Sequence, residues 1–367
     1  MQLGSRASKK YSDPNAWHNQ FYSLVTTKID EEIFKPLFPE GKKSGRPNAS
    51  IRILVAMSVL KEGFGCSDED LFEKCEFDLL TRKALGMELL TDVTPSIDTY
   101  YLFRRRICEY QERTGIDLMQ LCFEQLAGKH VHLLKISGKC VRMDSKLIGS
   151  NIARQSRYEL IHTTLVKFLK TCTLTHLSPE QEERAKEYLK EDSSKTVYRS
   201  DSDTLQSNLA RIGNFIMEML AVFPATSPAH DLLLRLFEEQ YVVMDGKAVL
   251  RDKKEVKADS LQNPNDPDAT YRAKNDQKVQ GYVTNITETV EEGKPNIITS
   301  VQVETAVFAD CHFLQEAVEN SERVTDSRLK TCMQMVPIKV QTIESLQRTT
   351  MPCSSRLARC KVDADGN

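Results

Sequence analysis

The hydrophobic period of this chain changes near residue 133, and that change restricts it to folds in which a helical part precedes a sheet. Before this point, apolar residues recur at helical spacing in Ile51 to Leu60, in Cys75 to Leu85 and in the run DTYYLFRRRICEYQER. Ser50 is placed to cap the first of these helices. Ser67 with Asp70 forms a capping-box pattern, and Thr94-Pro95-Ser96 opens the third helix. Val25 to Lys35 reads as a further short amphipathic helix stopping near Pro36. Beyond the change, Leu133 to Ile136 and Lys139 to Met143 are short, apolar or alternating and bounded by Gly138, as strands are. Asn151 to Leu189 and Leu205 to Gln240 return to helical spacing, as an insertion within the sheet. Tyr241 to Met244 is strand-like and Lys253 to Ala269 is a polar loop. Gln280 to Thr289 and Asn296 to Ala306 alternate as paired strands joined through Gly293 and Pro295, and His312 to Ser321 is a helix. The fold class is therefore mixed α+β.

A length of 367 residues allows two or three domains. No apolar run reaches the roughly 20 residues of a membrane helix, and Met1 to Asn15 lacks the apolar core of a signal peptide, so a cytoplasmic protein is expected. The ten cysteines are dispersed, without the close pairs of a zinc or redox motif, and read as reduced thiols. His130 and His132 flank Val131 and could face a metal from a strand; ordinary packing or surface histidines are the plainer reading. A net charge of −2 does not mark the whole chain as a nucleic-acid binder, so any DNA contact must come from local patches.

One such patch is Arg104-Arg105-Arg106 on the third helix, read either as phosphate contacts or as arginine stems covering core aromatics. A second is Lys42, Lys43, Arg46 and Arg52, at the front of a helix whose N-terminal amides favour phosphate; a charged loop is the alternative. Among the acids, Asp144 closes the strand-like run Val141-Arg142-Met143, where a carboxylate can hold a divalent cation at the mouth of a sheet. A turn or cap is the common role of such a residue. Asp245 precedes Gly246 and reads as a hairpin turn, and Asp310 as an N-cap.

Three blocks occur in order: GRPNASIRILVAMSVLKEGFGCSDEDLFEKCEFDLLTRKALGM, TPSIDTYYLFRRR and VRMDSKLIGSNIAR. Together they resemble the DDE insertion-sequence transposases that carry an InsH-type N-terminal domain, over about Phe21 to Ser327. The resemblance implies a helical DNA-binding domain (residues 21–132) after a flexible start (1–20). An incomplete RNase H-like nuclease domain (133–327) follows, with its helical insertion at about 151–240. It makes Asp144 the first of three acids holding two Mg²⁺ or Mn²⁺ ions for in-line strand cleavage and transfer. The implied partner is double-stranded DNA, both transposon ends and target, with a homodimer compatible and no membrane association.

The same resemblance implies a second acid after the last helix, in a motif of the type Tyr-Ala-Asp-Gly-x-Tyr, and a later glutamate. Neither is present in the chain. Taking the last base of each codon with the first two of the next across Cys332 to Ile338 reads tyrosine or histidine, alanine, aspartate or asparagine, glycine, a small residue or proline, then a residue set that includes tyrosine. The methionine codons force the alanine and the glycine. A one-nucleotide loss near Ser327 or Arg328 is expected, which leaves Arg328 to Asn367 as an out-of-frame, disordered tail. That tail has no aromatic residue and seven basic against three acidic side chains. The chain would then be a catalytically inactive transposase. The alternatives are a DNA-binding fragment acting as an inhibitor or pseudogene product, and a helical interaction protein with no DNA partner.

Overall fold

The computed structural model describes residues 4–38, 49–89, 91–223, 227–274, 277–334 and 340–342. Seven helices come first: α1 (Ser5–Tyr11), α2 (Trp17–Leu24), α3 (Ile51–Phe64), α4 (Asp68–Phe77), α5 (Leu79–Leu85), α6 (Ile97–Thr114) and α7 (Leu118–Leu133). The sheet opens with β1 (Cys140–Gly149). A helical insertion follows, α8 (Arg157–Leu169), α9 (Pro179–Lys190), α10 (Ser193–Arg199), α11 (Ser202–Val222) and α12 (Pro228–Gln240). The rest is β2 (Tyr241–Met244), β3 (Lys247–Leu250), β4 (Thr270–Lys274), β5 (Gln277–Thr289), β6 (Ile298–Thr305), α13 (Phe313–Thr325), β7 (Thr331–Gln334) and β8 (Val340–Thr342). The mixed α+β class expected from the sequence is the class observed.

Two compact units result. One comprises residues 1–143, 287–300 and 316–367, and the other 144–286 and 301–315. In the first, Leu54, Val55, Met57, Leu71, Tyr100 and Phe103 pack with Ile29 and Phe34 into one core. Ser50 caps α3, Ser67 and Asp70 make a complete capping box at α4, and Ser96 caps α6. Within this unit β1 pairs in parallel with β7, from Cys140↔Thr331 to Met143↔Gln334, and β8 runs antiparallel to β7. Gly138, at φ +64°, lies so close to Thr325 of α13 that a Cβ there would come within 2.5 Å of the threonine Cβ.

The second unit is built around the insertion, where Ile161, Leu165, Phe168, Ile212, Phe215, Ile216, Leu233 and Leu236 form a separate core. Gly213 lets Tyr241 lie flat on α11, and the Tyr241 hydroxyl donates to the Leu209 carbonyl at 2.9 Å. Here β4 pairs antiparallel with the first part of β5, and Gly281 lets β5 approach the end of β1. The six-stranded sheet has the order β4-β5-β1-β7-β8, with β6 joined to β5 off this path.

Four expectations are corrected. The start of the chain carries helices α1 and α2 rather than a flexible segment. Val25 to Lys35 is not one helix but two 3₁₀ turns, Thr26–Lys28 and Glu31–Leu37, because Ile29 is extended and the Asp30 side chain caps the second turn. Leu133 to Ile136 is no strand, since α7 runs to Leu133 and Lys135, at φ 53°, bends the chain so that the Ile136 amide donates back to Val131. Finally, residues 331–334 and 340–342 of the expected disordered tail are strands, because β7 finds backbone partners in β1 on one side and β8 on the other.

Candidate active site and nucleic-acid interface

Asp144 does not end a strand. It sits in the middle of β1, just past Met143, the last residue of β1 in the described ladder with β7. Val141 and Met143 face inward and are buried, whereas Asp144 is exposed. Its carboxylate has no hydrogen bond or ion pair among the described residues, so it is open to a cation or to water. Arg142, two residues earlier on the same side of the strand, is held by an ion pair to Glu288.

The other weighed acids have structural employment. Asp245 (φ 50°) and Gly246 (φ 71°) make the two-residue turn between β2 and β3, which requires positive φ at both positions. Asp310 opens a 3₁₀ turn and takes an ion pair from Arg272 at 3.2 Å, while the same guanidinium donates to the carbonyls of Ala306 and Phe308. His130 and His132 lie in the last turn of α7, not on a strand, and His130 Nε2 is 2.8 Å from the Leu24 carbonyl. Among the described residues no group of three or more His, Cys, Asp or Glu side chains stands together. Among the described residues Asp144 thus stands as a single carboxylate, whereas two divalent ions need several.

On α6 the three arginines have three fates. Arg104 lies over the Tyr100 ring, 5.7 Å from its centroid, and approaches Asp68 to 3.8 Å. Arg105 pairs with Glu109 one turn on, at 3.5 Å. Arg106 lies over Phe38, 5.3 Å from the ring centroid. Asp68 is the hub of this region, taking Lys61 at 3.2 Å and the Tyr101 hydroxyl at 3.0 Å. Burial alone would raise its carboxyl, but these two hydrogen bonds and the charges of Lys61 and Arg104 outweigh burial and hold it below the ordinary aspartate value. Lys42, Lys43 and Arg46 lie outside the described residues. Arg52 is exposed at the start of α3, but two amides there are already engaged: Glu31 accepts from the Arg52 amide at 3.0 Å and the Ser50 hydroxyl accepts from the Ile53 amide at 3.4 Å.

Residues 10–106 match the transposase domain family DUF772. The match supports a transposase family for this chain and runs from α1 into α6. No curated protein and no solved structure matches. The matched segment contains Tyr100 and Phe103 of the first core and all three arginines of the Arg104 to Arg106 run. Among the described residues no helix is long and apolar enough to cross a membrane.

Two residues of this domain escape sequence reasoning. Arg82 is buried and donates to three main-chain carbonyls, those of Cys75, Leu89 and Asp92, which ties α4, α5 and the following loop together. Asp68 reads from sequence only as one of the acids in the first turn of α4. Its partners come from α3 and α6, and no local pattern announces them.

Proposed function

We propose that this chain derives from a DDE-type insertion-sequence transposase, that it binds duplex DNA through its helical domain, and that a one-nucleotide shift near Ser327 or Arg328 has removed its strand-cleaving activity. The transposase-domain match over residues 10–106, in one chain with an exposed aspartate on a central strand, carries the reading. The β1–β7 register supports its second half. Gln334 is the partner of Met143, and Asp144 is the next residue on β1. In the shifted frame the codon spanning Gln334 and Met335 encodes the residue that follows position 334, and it reads aspartate or asparagine. An aspartate there would supply a second carboxylate, as two-metal chemistry requires.

The intact enzyme would use Mg²⁺ or Mn²⁺, which supplies an activated oxygen nucleophile and stabilises the leaving oxygen. In this chain Asp144 alone remains of that set, and duplex binding is the activity left to it. The test is to insert one nucleotide at codon 328. The lengthened protein should show Mg²⁺-dependent strand transfer on transposon-end DNA, lost again with Asp144→Asn, while the 367-residue chain shows binding only. A stop codon soon after the insertion, or no glutamate on a following helix, would defeat the frame-shift account. Absence of duplex binding would defeat the DNA reading.

A further inference from the structure

We infer that Arg106 and Arg113 together form a phosphate-binding groove on α6 that grips the backbone of duplex DNA; this rests on the DNA-binding reading above and identifies which side chains carry it. Seven residues separate them, so they lie on one face of the helix about 10.5 Å apart along its axis.

Both guanidiniums lie over aromatic rings, Arg106 5.3 Å from the Phe38 centroid and Arg113 5.7 Å from that of Tyr110. A guanidinium beside a ring keeps N–H donors for an anion. Neither arginine has an ion pair with an acid among the described residues. Arg104 and Arg105 do, with Asp68 and Glu109.

Between the two arginines is a groove of about 370 Å³, lined by Pro36, Leu37, Arg106, Glu109, Tyr110 and Arg113. Its one acid, Glu109, is engaged by Arg105 at 3.5 Å, which leaves the groove with a positive balance. A polyanion that presents repeated phosphates to two guanidiniums without an ion pair among the described residues is the matching ligand. The consecutive run Arg104 to Arg106 is thus not the unit of recognition. Residues on one helix face are, and Arg113 belongs to that set although it lies beyond the matched domain.

The experiment measures binding of the full chain to a short mixed-sequence duplex across a range of salt concentrations. Replacing both residues, Arg106→Gln with Arg113→Gln, should lower the salt slope by about two, close to one per phosphate contact. The paired lysine variants, Arg106→Lys with Arg113→Lys, should retain the slope and so exclude misfolding as the cause. Glu109→Gln should strengthen binding, an outcome that a purely structural role does not give. Lys186→Gln with Lys195→Gln, the same charge change on exposed lysines of the insertion, should leave the slope unaltered. An unchanged slope in the double glutamine variant, or an equal fall in the lysine control, overturns the groove while leaving DNA binding intact. If the unsubstituted chain does not bind duplex at all, the DNA reading itself fails and the groove with it.

Discussion

Gly281 of β5 lies against Ile148 of β1 so closely that a Cβ added to the glycine would stand 2.3 Å from the Ile148 carbonyl oxygen and 2.5 Å from the Ser150 amide nitrogen. Both obstructing atoms are backbone and cannot rotate away. Gly281→Ala should therefore destabilise the chain by roughly 3 kcal/mol, the upper part of the range for overpacking. Thermal unfolding followed by circular dichroism reads this directly. Gly63→Ala is the contrast: nothing lies within 4 Å of the added methyl, and its helical position should gain about 0.5–1 kcal/mol.

Asp144→Ala should change stability by no more than about 0.5 kcal/mol, because the side chain is exposed and has no partner among the described residues. Duplex binding should be equally unaffected. A melting temperature lowered by many degrees would make Asp144 a structural residue and remove its claim to a catalytic role.

Asp68 links acid stability to the helical segment of residues 10–106. Its folded-state value is lowered, so the stability it contributes is complete above the ordinary aspartate value near 4 and fades as pH falls through the lower folded value. Asp68→Asn should flatten that part of the stability–pH curve and cost about 1 kcal/mol at neutral pH, given that the carboxylate is partly screened by solvent. Equal acid sensitivity in variant and parent would assign the transition to other carboxylates.

The helical insertion should respond to pH in another window. His162 is buried between Tyr158 and Tyr188, with Glu191 at 3.6 Å and the Tyr188 carbonyl at 3.1 Å from its Nε2. Burial lowers its pKa in spite of the opposing charges of Glu191 and Asp192. The unfolded chain thus takes up the proton first as pH falls. Stability is whole above the unfolded histidine value near 6.5 and declines below it, down to the folded value. Denaturant unfolding at pH 7.5 and 5.5 should show the loss, and His162→Gln should reduce the difference; an insertion equally stable at both would contradict it.

The sequence carried most of the helical part. Side-chain caps at Ser50, Ser67 and Ser96 are local, and a short window contains both partners of each. The hairpin turn at Asp245 and Gly246 and the strands flanking Gly293 are legible for the same reason. The length of β1 is not, because its continuation past Asp144 depends on pairing with β5, more than a hundred residues later. Helix α2 is not legible either, since much of its packing is against α5 rather than within its own segment. For the arginines the helical period already shows that three consecutive residues diverge, but the neighbour each one meets lies on another segment or turn and is not local.

β1 also has a longer reach than its parallel neighbour. Among the described residues, the ladder with β7 covers Cys140 to Met143, whereas β1 continues to Gly149. From Asp144 onward the side chains alternate, with Asp144, Lys146 and Ile148 exposed and Ser145 and Leu147 half-buried. An exposed isoleucine on a strand is a place where self-association starts, and a neighbouring lysine is the usual guard against it. At high concentration Lys146→Val should therefore make the protein prone to self-association and Ile148→Lys should keep it in solution, which light scattering reads.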